Sequence, residues 1–137
     1  MAFEAKTYIP HASVVKGILA LDGDVYAATN AMIDISGNVT IREGTVLGGG
    51  SRIYTHIHKI PPKDIRIRIA WKERGGITAS DLIIEEDVWI ADFAMILPSC
   101  NKIGRGAVIG ARSVVTKDIP PYEIWVGNPA RKVGERK

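Results

Sequence analysis

Three features of the sequence predict an all-β chain wound as a parallel coil with three flat faces per turn. Isoleucine or valine returns at every sixth position at Ile84, Ile90 and Ile96, and again at Ile103, Ile109 and Val115. Small or β-branched residues sit four places after most of these, as a tight corner requires. Glycine directly follows the inward residue at Gly48, Gly104 and Gly110, where a turn needs a small side chain or positive φ. Six residues on an α-helix advance about 600°, so these positions would wander around a helix instead of forming one stripe. A half-buried strand would alternate every second residue. A coil that turns a corner every six residues and points one aliphatic side chain inward per face accounts for the spacing.

The elements follow in order. In the first block Ile9, Val15, Leu21, Ala27 and Ile33 keep one phase, with Ser13, Leu19, Val25 and Ala31 at the corners. The phase slips by two residues near Asp34 and resumes at Ile35, Ile41, Leu47 and Ile53, with Val39, Thr45, Ser51 and Ile57 as corner residues. Residues 59–82 lose the repeat and read as an extended loop. Within it Ile65, Ile67, Ile69 and Trp71 alternate with Arg66, Arg68 and Ala70, which predicts a strand with one apolar face in a protruding arm. Pro61 and Pro62 open the arm, and Gly75 and Gly76 punctuate its far side. Residues 83–119 regain the repeat with Val88, Ala94, Cys100, Ala107, Ser113 and Ile119 at the corners, and one extra residue falls near Lys102.

With about 18 residues per turn, the two coiled spans, 9–58 and 83–119, supply about five coils in a single domain covering 1–137, followed by a C-terminal segment, 120–137. At the ~4.8 Å strand spacing the prism is about 25 Å tall. So short a stack with open ends calls for caps or partners, and an oligomer is expected. The repeat itself does not fix the handedness of the coil.

Composition is consistent with this. Of 137 residues, 46% are hydrophobic but only 7% aromatic, enough to fill a narrow prism of aliphatic layers. The formal charge of +3 is a mild excess of base that suits an anionic small molecule better than nucleic acid, which would favour a concentrated Lys/Arg stripe. Cys100 is the only cysteine, so no intrachain disulfide forms; it occupies a corner position suited to a small apolar residue. The opening MAFEAKTYIPHAS lacks the apolar core of a signal peptide, and no apolar run approaches the ~20 residues that span a bilayer. A cytoplasmic setting is expected.

The sharpest chemical constellation is Tyr54-Thr55-His56-Ile57-His58, where the regular repeat ends. If Ile57 points inward by phase, His56 and His58 project outward on either side of it. Imidazole is well suited to accept a proton near neutral pH. The same pair also fits a surface contact with the arm, or a chelate; the remaining histidine, His11, lies in a different coil, and no metal is expected.

The run IIEEDVWIADFAMILPSCNKIGRGAVIGARSVVTKDIPPYEIWVGNPARKV, residues 83–133, resembles the C-terminal half of hexapeptide-repeat acetyltransferases. NAMIDISGNVTIREGTVLGGGSRIYTHIHK, residues 30–59, is similar to their central coils. The nearest group is that of the sugar and lipopolysaccharide O-acetyltransferases related to galactoside and maltose acetyltransferases, and VVTKDIPP followed by GNPAR is the specific signature. The resemblance implies a left-handed parallel β-helix, a homotrimer, and acetyl-CoA as donor substrate in clefts between neighbouring prisms. Counting from Val39-Thr40-Ile41, it implies that His58 is the general base, with His56 a neighbour that orients the loop and helps bind substrate. Trp89, Ala91 and Ala111 match positions lining the acetyl-pantetheine path, and Thr116, Lys117 and Arg131 match positions near the nucleotide phosphates. Asn30 and Asp34 sit near acceptor-binding positions. Where relatives carry Gly-Ala or Gly-Ser after Trp-Ile, this chain has Ala91-Asp92.

The expected function is therefore transfer of an acetyl group from acetyl-CoA to a hydroxyl or amino group of a sugar or nucleotide-sugar acceptor. The alternative is a noncatalytic trimeric scaffold or carbohydrate-binding module. A metal-dependent lyase on the same coil would need three converging histidines, which this spacing does not readily provide. Arg66, Arg68, Lys72 and Arg74 fit either a solvated face or a phosphate-bearing acceptor.

Overall fold

The computed structural model describes residues 6–8, 17–74 and 77–137, with the backbone alone at 6–8 and 71–74. The expectations for Ile9, His11, Ser13, Val15, Gly75 and Gly76 lie outside the described residues. Short parallel strands form three sheets that follow one another in rotation along the chain. The first face holds Lys6–Tyr8, Met32–Asp34, Arg52–Ile53, Met95–Ile96 and Val114–Val115. The second holds Leu19–Leu21, Val39–Ile41, Leu82–Ile84 and Lys102–Ile103, and ends in a parallel bridge from Ile103 to Ile119. The third holds Tyr26–Ala27, Val46–Leu47, Trp89–Ile90, Val108–Ile109 and Glu123–Gly127. Four complete turns with partial turns at each end match the expected five.

The registers align the predicted inward residues in columns: Ile33 with Ile53, Ile41 with Ile84, and Leu47 with Ile90 and then Ile109. All of these are buried. Leu21 departs from the pattern at 42% exposure, because its strand is the edge of the second face and pairs on one side only. At the other end, Ala130–Glu135 folds back antiparallel on Glu123–Gly127, and Trp125 occupies the last rung of the third column.

Two of the three vertices are regular. Inward residues on either side of them are always six apart, and a residue with positive φ closes most turns: Gly44, Asp87, Gly106 and Tyr122 at one, Asn30, Gly50, Phe93 and Arg112 at the other. Gly48 meets the second demand on these corners, close approach: a Cβ there would lie 2.5 Å from the Asp92 amide.

The vertex between the first and second faces is different. Ile41 follows Ile33 by eight positions, Ile84 follows Ile53 by 31, Ile103 follows Ile96 by seven and Ile119 follows Val115 by four. Among the described residues, from Leu21 onward, the irregularities of the repeat are stacked on this one edge. Here the phase also fails as a guide to orientation. Ile57 is 59% exposed, and Thr55 is the buried residue instead, because the chain leaves the coil after Tyr54 and pairs His56–His58 antiparallel with Ile77–Ala79.

The arm contains a helix, Ile67–Arg74, rather than the expected strand. Pro61 and Pro62 are followed by a turn in which the Ile65 amide donates to Pro62 O, and the Ala70 amide donates to Arg66 O. Among the described residues this stretch pairs with no strand, and its backbone groups bond locally. Ile67 and Ile69 are exposed and Ala70 is buried.

Because the columns are close-packed, Ile96→Ala should cost about 2–5 kcal/mol and Ile96→Val about 0.5–1.5 kcal/mol. Urea unfolding checks this; a cost below about 0.5 kcal/mol for the alanine variant would contradict a load shared by every rung.

Candidate active site

At the irregular vertex, on the turn after Ile33 and the one after Ile53, the buried residues are polar. Asp34, Ser36 and Thr55 are all essentially inaccessible, where the two regular vertices bury Val25, Ala31, Val88, Ala94 and Ala107, and carry Thr45, Ser51 and Ser113 at their remaining corners. The two extra residues after Ile33 make room for this. Asp34 Oδ1 accepts from the Ser36 amide at 3.0 Å and the Ser36 hydroxyl at 2.7 Å. Asp34 Oδ2 accepts from the Thr55 amide at 3.0 Å and from His56 Nδ1 at 2.5 Å. The Thr55 hydroxyl donates to Asp34 O at 2.8 Å and accepts from the Gly37 amide at 3.0 Å. This joins two successive turns of the coil.

Burial is the largest influence on the Asp34 carboxyl and by itself raises its pKa. Hydrogen bonds from the Thr55 amide, Ser36 and His56, with the charge of the imidazole, outweigh it and hold the group below its ordinary 3.8. An ionised carboxylate accepts rather than donates, so the His56 proton sits on Nδ1.

The strand pairing sets the next layer: His56 lies opposite Ala79, Ile57 opposite Thr78 and His58 opposite Ile77. The Ser80 amide donates to Thr55 O, and its hydroxyl donates to Pro98 O at 2.7 Å, which ties the returning arm to the following turn. His56 and His58 point to the same side of their strand, as residues two apart must. Their rings meet edge to face with centroids 5.2 Å apart and an interplanar angle of 79°. Both line a cavity of about 550 Å³ with Tyr54, Ile57, Thr78, Ser80, Leu97, Pro98 and Ser99.

Thr116 and Lys117 belong to the same vertex, on the turn below Leu97, whose amide donates to Val115 O. The Lys117 ammonium lies 5.3 Å from the centre of the Trp125 ring. Arg131 is exposed on the antiparallel C-terminal strand, and its guanidinium donates to Ala130 O. The other expected residues lie elsewhere on the prism. Trp89 is 53% exposed on the third face. Ala91 and Ala111 flank the vertex between the third and first faces. Asn30 is at that vertex too, in a separate cavity of about 340 Å³ with Arg52, Asp92 and Phe93. The Asp92 carboxylate is engaged there, accepting from the Gly49 amide at 3.0 Å. One chain therefore gathers His56, His58, Thr116 and Lys117 on one edge and Trp89, Ala91, Ala111 and Asn30 around another. Asp34 lies beneath His56 and does not face either cavity.

Ser36, Thr55 and Ser80 were not legible as site residues; the signal for the first two was the phase slip at Asp34 itself. Cys100 is buried, and burial, with a smaller push from the Asp118 charge, raises its thiol to about 12, as a packing residue requires. Among the described residues no three His, Cys, Asp or Glu side chains are grouped to hold a metal ion, and no helix is long and apolar enough to cross a membrane.

An acid whose folded pKa is depressed contributes stability above its unfolded pKa and loses it as pH falls through the folded value. Asp34→Asn should therefore lower stability at neutral pH and flatten the fall in stability below about pH 4. Denaturant unfolding of both proteins across that range checks this; parallel pH curves would contradict it.

No family model matches the chain. A chloramphenicol acetyltransferase of Klebsiella aerogenes is 55% identical over 58 residues, 42% of this chain and 27% of the relative. A maltose O-acetyltransferase from Clostridium difficile 630 superposes with a TM-score of 0.74 at 32% identity, over 87% of this chain and 59% of that one. A hexapeptide-repeat acetyltransferase from Vibrio cholerae O1 biovar eltor, solved with acetyl coenzyme A, gives 0.75 at 28% identity, over 87% and 61%. The chain thus spans from about a quarter to about three fifths of the length of these relatives. In sequence and in fold the chain resembles the hexapeptide-repeat acetyltransferases, and its coil is the left-handed parallel β-helix of those proteins.

Proposed function

We propose that this chain is an acetyltransferase that moves an acetyl group from acetyl-CoA to a hydroxyl or amino group of a sugar or sugar-containing acceptor, with His58 as general base. The observation that carries the reading is the cavity at the irregular vertex, lined by His58 and His56 and stacked above Thr116 and Lys117. His58 takes the proton of the acceptor hydroxyl or amine as that atom attacks the thioester carbonyl carbon. The carbon–sulfur bond breaks, and the proton passes to the departing thiolate. Lys117 and Arg131 supply cations for the nucleotide phosphates, a charge-assisted contact. Holding both reactants in one crevice supplies much of the rate.

Three observations support an assembly of copies, with the trimer as the proposed form. The third face carries an outward ladder of Tyr26, Val46, Trp89, Val108 and Ile124 in register, with Tyr26 and Trp89 exposed. The arm exposes Ile57, Ile60, Ile67 and Ile69. Contiguous apolar surface of this kind marks an interaction site. The separation of Trp89 from the histidine edge in one chain also fits a crevice formed between two copies, one giving the histidines and the other the third face.

Release of free thiol from acetyl-CoA, screened over sugars, nucleotide sugars and chloramphenicol, tests the activity. His58→Ala should lower turnover by about 10²–10⁴-fold while calorimetric binding of acetyl-CoA persists. Unchanged turnover, or equal loss of both, would contradict the role of His58. Absence of both binding and thiol release in the unaltered protein would favour a noncatalytic scaffold.

A further inference from the structure

We infer that His56 is a positioning residue for His58: the buried Asp34 carboxylate holds the His56 ring, and that ring fixes the orientation of its neighbour. The inference rests on the reading of His58 as the base. Asp34 has four donors on its two oxygens, the Ser36 amide and hydroxyl on one and the Thr55 amide and His56 Nδ1 on the other. A carboxylate so saturated and fully buried is not placed to take a substrate proton. The His56 side chain is itself only 8% exposed, which suits a ring that supports another more than one that meets both thioester and acceptor. The Ser36 hydroxyl, 3.2 Å from His56 Nδ1, adds a second restraint.

The remaining link is the edge-to-face contact between the two imidazoles, 5.2 Å between centroids. Rings in that arrangement restrict each other's rotation about χ2, and the contact carries a modest electrostatic preference. An aliphatic residue would fill the corner at lower desolvation cost, as aliphatics do at other corners of this coil. A carboxylate buried against an imidazole is instead suited to hold one tautomer and one ring plane, as a second partner does for a working histidine.

A double-mutant cycle tests this. Asp34→Asn and His56→Gln are each expected to lower kcat by about tenfold or more, but by less than loss of the base itself, which is worth ~10²–10⁴-fold, with KM for acetyl-CoA changed by less than about twofold. The combined variant should be no slower than the worse single one, because both act through one ring. Multiplying losses would overturn the inference, as would His56→Gln abolishing turnover that His58→Ala spares, since His56 would then be the base. His56→Gln keeps the Asp34 bonds to Ser36 and Thr55, so it remains informative if Asp34→Asn unfolds the corner. A readout without substrate separates this inference from the acetyltransferase reading. In ¹⁵N-histidine-labelled protein, either substitution should shift or broaden the His58 ring signals, and unchanged His58 signals would sink the inference even if the enzyme is active.

Discussion

A prism filled by one aliphatic side chain per face per turn imposes a strict count. Each column stays closed only if every turn returns to the same phase at all three faces, so any extra or missing residue has to be discarded at a corner. Among the described residues, from Leu21 onward, all of them are discarded at the same corner. Two residues are added after Ile33, the whole arm after Ile53 and one residue after Ile96, and two are missing after Val115. The other two edges keep their period of six and close most of their turns with left-handed residues.

That partition places the buried polar residues. Regular corners are too tight to hold anything but small side chains, as the close approach at Gly48 illustrates. The irregular edge has slack, and the slack is filled with Asp34, Ser36 and Thr55 in place of aliphatic residues. Their hydrogen bonds satisfy one another, and no buried side-chain polar atom is left without a partner among the described residues. Burying a carboxylate is costly unless it is fully bonded; here the compensation includes an imidazole on the wall of the larger cavity.

Much of this was legible in the sequence. A six-residue period excludes helix and simple strand, so the faces and the columns from Ile33 to Val115 follow from counting. The slip at Asp34 marked the unusual corner, and the Tyr-Thr-His-Ile-His run marked the two histidines that line its cavity. Orientation at that corner was not legible. Phase assigns Ile57 to the interior, but phase holds only while the chain stays in the coil, and it has left by Thr55. The helix in the arm escaped for a related reason: alternation at Ile65, Ile67 and Ile69 predicts a strand only where a neighbouring strand offers hydrogen bonds. The network at Asp34 needs three-dimensional proximity between residues about twenty apart, which a repeat of six does not reveal for polar side chains.

The central question is whether this one edge, completed by a second copy, is where the thioester is handled. A crystal structure of the protein with coenzyme A tests it most directly. The cofactor sulfur should lie within hydrogen-bond reach of the His58 imidazole, or one water away, in a crevice bounded by the histidine edge of one copy and the Trp89 face of another. Coenzyme A bound along a regular edge, or with its sulfur remote from both histidines, would contradict it.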